Sequence, residues 1–392
     1  MRWMLAILAV VAFLIRLIAL VFLPDQNFGD AKHYLSAGRD LLSDGRMESD
    51  FVMPLYPIWA AIWGGGKLLL LADALLSAAT VWFIGAISWI LFQSFRITFL
   101  ATFVAAIYPH FIFYSITGLS ETVHLFILTG AFLLFYRKLF TAGSFVLVAS
   151  LLMRPSLEFV APLLVLFFVM IVHRGTWKEG MRRLVHFVLI YFVLMSPWWL
   201  HNYEKYGDFV RLNLGDGIVL YYGNNPANQS GGGIAGIDGN TTAYRVIADP
   251  IERNSALKKD AVKFILADPG HFLKMAVVKF NRFWRLWPYA SRYQSWYIIV
   301  ASLLSYGLML FSTICFLISQ GRRYWRLLSS ILLLTVYLTF VHMVTIGSIR
   351  YRLPLEPFLV ILGSAWLARL SIAELIVKKF RNSLPIFGPH RY

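Results

Sequence analysis

The side chains best suited to chemistry in this chain are carboxylates and guanidinium groups at the ends of apolar runs. Asp30 follows the first run and opens the stretch FGDAKHYLSAGRDLLSDGRM, which continues with helical spacing. A carboxylate there can act as general base toward a hydroxyl group, or it can cap the helix that follows. Glu121, in Ser120-Glu121-Thr122, starts another run, where a helix N-terminus would also stabilise it. Arg154, Arg350 and Arg352 stand at run ends, with Lys205 and Lys279 in the largest polar segment. Guanidinium forks match the paired oxygens of a phosphate, and they also snorkel to lipid headgroups. Asp30 with Glu121 could hold one cation, but no dedicated ligand cluster accompanies them, so neither a metal nor another cofactor is expected.

Other chemistries find no support. The chain lacks GxxxxGK[ST], HExxH, GxSxG and a Gly-rich dinucleotide fingerprint in strand-helix context, which argues against cytosolic ATP or NAD chemistry. Its nine histidines are scattered, and His33 and His342 read as structural rather than as metal ligands. The single cysteine, Cys315, lies inside an apolar run, so no disulfide framework, thiolate zinc site or CxxC motif can form. The sequons at Asn228 and Asn240 matter only in a eukaryotic secretory pathway.

The elements that must position these groups are membrane spans. Of the 392 residues, 59% are hydrophobic and 14% charged, against roughly 25% charged in a soluble domain. Apolar runs fall at 1–23, 68–92, 97–113, 121–136, 141–152, 157–172, 184–200, 294–318, 325–346 and 354–370, and about 20 such residues span a bilayer. About ten crossings follow. The 141–152 run is short, and with 157–172 it reads either as two spans or as a re-entrant pair broken at Arg154-Pro155. The first run is read as a retained helix, and the segment 54–66 is placed at the outer interface. Arg16, inside the first span, needs a carboxylate, carbonyl or phosphate partner.

With the N-terminus cytoplasmic, the inner connections are basic: Gln93–Arg96, Arg137-Lys138, His173–Arg183, Gln320–Arg326 and the tail Lys378-Lys379-Phe380-Arg381. The net charge of +16 then reflects topology and not nucleic acid. Loop 24–53, carrying Asp25, Asp30, Asp40, Asp44, Glu48 and Asp50, lies outside, as does the segment 201–293. The chain divides into an N-terminal module (1–200), an extracytoplasmic domain (201–293) and a C-terminal module (294–392). The domain's first half suggests turns and short extended pieces; its second half, 255–285, reads as two helices broken at Asp268-Pro269-Gly270.

An ordered set of motifs resembles the bacterial GT-C glycosyltransferases of the family 39-like group, relatives of the protein O-mannosyltransferases and the lipid A aminoarabinose transferase. The set is Asp30 with Tyr34, Ser120-Glu121, Met153-Arg154-Pro155, Pro197-Trp198-Trp199-Leu200-His201-Asn202-Tyr203 with Gly207, Tyr222-Gly223-Asn224-Asn225-Pro226, Asp268-Pro269, and Arg350-Tyr351-Arg352-Leu353-Pro354. The likeness implies an all-α polytopic bundle with interfacial helices in the first outer loop and a small α-containing extracytoplasmic domain. It implies transfer of a sugar, with inversion, from a polyprenyl-phosphate donor to an extracytoplasmic glycan, lipid or protein acceptor, at a bacterial cytoplasmic (inner) membrane. Asp30 and Glu121 would then be catalytic; Arg154, Lys205, Arg350, Tyr351 and Arg352 would hold the donor phosphate; His33, Tyr34, Asn202, Asn224 and Asn225 would line the substrate region. One departure is that Asp30 is followed by Ala31, where protein mannosyltransferases have Asp-Glu, which weakens a protein acceptor. A transporter or a sugar-lipid binding protein would share the span pattern.

Overall fold

The computed structural model describes residues 1–23, 28–233 and 241–370; no strand occurs among them. Asp25, Asn240 and the basic segment 378–381 lie outside the described residues. Four helices are long and apolar enough to cross a membrane: α1 (Arg2–Phe22), α4 (Gly66–Phe92), α10 (Trp177–Tyr206) and α14 (Trp296–Val344). Shorter apolar helices pack among them: α5 (Phe95–Ile107), α7 (Glu121–Tyr136), α8 (Phe140–Leu151) and α9 (Ala161–Val172). The remaining helices are α2 (Gly29–Asp44), α3 (Leu55–Ile62), α6 (Pro109–Tyr114), α11 (Asp216–Gly223), α12 (Pro250–Ala267), α13 (Pro269–Phe283) and α15 (Glu356–Leu367).

Local chemistry sets several boundaries. The 97–113 run breaks into α5 and α6 because Tyr108 precedes Pro109 and takes an extended conformation (ψ 117°). That break frees carbonyls at the end of α5. Fully buried Arg16 takes one of them, Ala106 O at 3.0 Å, together with Ala12 O at 2.8 Å and Ser77 Oγ at 2.7 Å. A carbonyl and hydroxyl nest therefore holds this cation, and it ties α1 to α4 and α5. The 184–200 run extends at both ends into α10, since Thr176 caps the Glu179 N–H and the polar flanks Trp177–Arg183 and His201–Tyr206 stay helical.

Helix α14 covers the 294–318 and 325–346 runs in one stretch, yet its path doubles back. Tyr306 lies against Arg352 (3.4 Å from guanidinium carbon to ring centroid) and His342, 36 residues on, stacks on the adjacent Tyr351 at 4.5 Å. A straight helix would separate those positions by about 54 Å at about 1.5 Å per residue. Phe316 and Tyr324 both meet Phe92, at 5.6 and 5.2 Å, and their own rings are 5.8 Å apart. The reversal falls around Gly321, where the sequence places a basic connection, and the backbone stays helical through it.

The α8–α9 pair runs alongside α7. Phe140, at the start of α8, sits beside Phe135 and His173, while Arg154 beyond its end reaches Glu121 at the start of α7. The chain then returns to His173, whose Nε2 lies 2.8 Å from Phe135 O. Both helices thus cover the same length of the bundle as α7.

Beyond α10, helices α11 to α13 cap one end. The expected break stands: Asp268 ends α12 and caps α13, accepting from His271 N at 2.9 Å. In place of extended pieces, the described part of the first half holds α11 and turns. From α13, fully buried Lys279 donates to Asn224 Oδ1 (2.8 Å) and Val344 O (3.2 Å), and Arg282 donates to Gly347 O (2.9 Å). Gly223 fits because a Cβ there would lie 1.9 Å from Thr345 O. This knot clamps the residues that lead into Arg350.

Candidate active site

Four of the charged side chains singled out in the sequence form one continuous ion-pair chain. Helix α2 begins at Gly29 with Phe28 in the capping position, so Asp30 stands inside the first turn and does not cap it. Its Oδ2 accepts from Arg350 Nη1 at 2.7 Å. Arg350 follows Ser348, whose Oγ accepts its N–H, and lies in the short 3-10 turn Ile349–Leu355. The same guanidinium grips Glu121, through Nε to Oε1 and through Nη2 to Oε2 at 3.3 Å. Arg154 Nη2 reaches Glu121 Oε1 from the other side. It is aimed there by the extended backbone (ψ 114°) required of a residue before proline. Ser120 Oγ accepts from Arg154 Nε and Nη2 at 3.2 and 3.0 Å and lies 3.4 Å from Tyr34 OH.

Exposure falls from Asp30 to Glu121 and rises again at Arg154. The Asp30 side chain is 56% exposed, Arg350 25%, Arg154 15% and Glu121 1%. The buried carboxylate is tolerable because two cations surround it. The outer carboxylate has a second oxygen with no partner among the described residues, on a side chain that is more than half exposed. Two negative and two positive groups balance, so the chain is formally neutral at rest. Arg350 itself sits between the two carboxylates. Among the described residues, no group of three or more His, Cys, Asp or Glu side chains gathers as a metal site.

The other expected residues divide. Tyr34 joins the site, its ring edge-on to Tyr56 at 4.9 Å. Tyr56 OH and Trp59 Nε1 in turn donate to buried Asp73 of α4, at 3.2 and 2.9 Å. That acid sits inside an apolar run and sequence reasoning missed it. Tyr351 stacks on His342 next to Arg350. His33 lies one turn along α2 from Asp30, with Nε2 2.8 Å from Ser49 Oγ.

Five further expected residues, Arg352, Lys205, Asn202, Asn224 and Asn225, make their contacts within the fold and not with the ion-pair chain. Arg352 points away from Arg350; it is fully buried, pairs with Glu356 at 3.0 Å and lies over Tyr306. Glu356 also meets His110 at 2.7 Å. Lys205 Nζ holds Asp50 Oδ1 (2.9 Å) and the Glu48 and Ser49 carbonyls (2.8 and 3.3 Å). Asn202 donates to Val210 O and Leu212 O; Asn224 donates to Leu220 O and Val344 O; Asn225 donates to Tyr221 O and Tyr222 O. The asparagines are loop clamps.

No protein-family model and no curated protein matches this chain. Among solved structures it is similar to the archaeal oligosaccharyltransferase AglB from Archaeoglobus fulgidus in complex with an inhibitory peptide and a dolichol-phosphate. The TM-score is 0.57 at 12% identity, covering 100% of this chain and 53% of that one. The chain shares the helical fold of that part of the oligosaccharyltransferase. The apo form of the Archaeoglobus fulgidus oligosaccharyltransferase gives a TM-score of 0.55 at 12% identity, over 96% of this chain and 52% of that one. The chain therefore spans about half the length of those enzymes. ArnT from Cupriavidus metallidurans bound to undecaprenyl phosphate gives 0.44 at 15% identity, over 98% and 81% of the two chains.

Proposed function

We propose that this protein is a multi-pass membrane glycosyltransferase that moves a sugar from a polyprenyl-phosphate carrier to an acceptor hydroxyl, with inversion, in the manner of the bacterial family 39-like enzymes. The observation that carries the reading is the ion-pair chain Asp30–Arg350–Glu121–Arg154, with its outer carboxylate exposed and its inner one sealed. The donor phosphodiester is already a good leaving group. Arg350, backed by Arg154, stabilises the charge that collects on the departing phosphate. Asp30 takes the proton from the acceptor hydroxyl as its oxygen bonds to the anomeric carbon and the carbon–oxygen bond to phosphate breaks. Glu121 fixes both guanidinium groups, and Arg352 and Lys205 hold the turn and loop that frame them. That AglB was solved with a dolichol-phosphate supports a carrier lipid here. On this reading the bundle makes ten crossings with the N-terminus cytoplasmic, and the Asp30 end faces the extracytoplasmic side.

The test is a panel of radiolabelled polyprenyl-phosphate sugars offered to the purified protein in lipid together with a membrane extract, for wild type and Asp30→Asn. Turnover that disappears in the variant is expected. Carrier binding with turnover unaffected by Asp30→Asn would sink the catalytic assignment and favour a transporter or binding protein.

A further inference from the structure

A second concave site lies in the cap, separate from the ion-pair chain. A cavity of about 390 Å³ is enclosed between the 50–51 segment, α11, the 242–246 turn and the start of α12. One wall is apolar, with Leu214, Ile218 and Leu257, and the rings of Phe51, Tyr222 and Tyr244 also line it. The charged lining is two guanidinium groups, Arg245 and Arg253, against one carboxylate, Asp50. Asp50 is already satisfied by Lys205 Nζ and Tyr206 OH, both at 2.9 Å.

The cations are not satisfied in the same way. Arg253 reaches Asp50 Oδ2 and Ile247 O only at 3.4 Å, near the limit of a hydrogen bond. Arg245 and the Tyr222 hydroxyl have no partner among the described residues. A cavity with surplus guanidinium donors and aromatic walls suits a ligand that has flat apolar faces and carries an anion. Guanidinium forks bind carboxylate or phosphate oxygens in a bidentate manner, and aromatic rings supply apolar area with a polar edge.

The cavity also shares a loop with the proposed reaction centre. Asp50 lines it, the preceding Ser49 meets His33, and His33 lies one helical turn from Asp30 on the same face of α2. We propose that this cavity is a recognition site for an acidic saccharide, with Arg245 and Arg253 gripping its carboxylate or phosphate and Tyr222 its hydroxyl groups. The acceptor role of that saccharide rests on the transferase reading above; the binding site itself does not.

The experiment is titration calorimetry on the full chain in nanodiscs with three probes: a glucuronate-containing tetrasaccharide, a phosphorylated glucose tetrasaccharide and neutral maltotetraose. Arg245→Gln is the clean variant, since its guanidinium has no partner among the described residues. At least one acidic probe is expected to bind at least tenfold more tightly than maltotetraose, to lose at least tenfold in Arg245→Gln, and to bind Asp30→Asn as it binds wild type. The preferred acid tells a uronic carboxylate from a phosphate ester. Equal binding of neutral and acidic probes, an unchanged Arg245→Gln, or binding of an acidic peptide in place of all three would overturn the proposal. If transfer fails with every donor while Arg245-dependent binding persists, the transferase reading falls and the saccharide site stands.

Discussion

Arg350 is the link between Asp30 and Glu121, with Nη1 2.7 Å from Asp30 Oδ2 and Nη2 3.3 Å from Glu121 Oε2. One guanidinium thus couples the most exposed acid of the site to the most buried one, and substitutions at its two ends should behave differently.

At the exposed end, Asp30→Asn removes the proposed proton acceptor. Transfer should fall at least 100-fold, the usual size of a general-base contribution. The melting temperature should hardly move, because an ion pair with a partner this exposed contributes under about 1 kcal/mol. Parallel turnover assays and thermal melts in detergent check both halves; a large loss of stability would mean that the acid is structural.

At the buried end, Glu121→Gln leaves two guanidinium groups without their shared counter-charge. Breaking a buried pair from one side costs about 3–5 kcal/mol. Both stability and carrier binding should fall, and a double variant with Arg154→Met should recover part of the stability, readable as non-additivity in chemical denaturation.

Arg352→Met separates the two arginines of the Arg-Tyr-Arg turn. It strips the buried Glu356 of its guanidinium partner and leaves it His110 alone, so a loss of about 3–5 kcal/mol is expected. Correctly folded protein should keep its KM for the carrier-linked sugar, whereas Arg350→Met should raise that KM.

Lys279 gives a pH signature. Burial pushes its ammonium from 10.5 down to about 8. Between about pH 8 and pH 10.5 the unfolded chain then holds a proton that the folded chain has released, so folding stability rises with pH across that window. Melts at stepped pH should show a contribution of this sign in wild type that is missing in Lys279→Met; a difference falling with pH would refute it.

Much of this was legible in the residues themselves. Apolar runs mark the helices because a span must hide its backbone, and 121–136 coincides with α7 to the residue. Asp30, Glu121, Arg154 and Arg350 were recognisable as charges at run ends, and the fold gathers them. Arg352 was not separable from Arg350, since both stand in the same short turn with the same chemistry; only the packing of Glu356 and Tyr306 shows which one points inward. The cap cavity left no trace because its lining comes from segments with no shared period, and Asp73 was masked by the apolar residues around it.

The fall in exposure from Asp30 to Glu121 acts like insulation that thickens toward the core. Dissolved ions screen the outermost contact readily and the inner ones hardly at all. Raising ionic strength should therefore unhook α2 from the Ile349–Leu355 turn first and leave Glu121 with both its arginines. The weak point of the site is thus at its mouth, where an arriving anion would meet Arg350 before anything deeper had to let go.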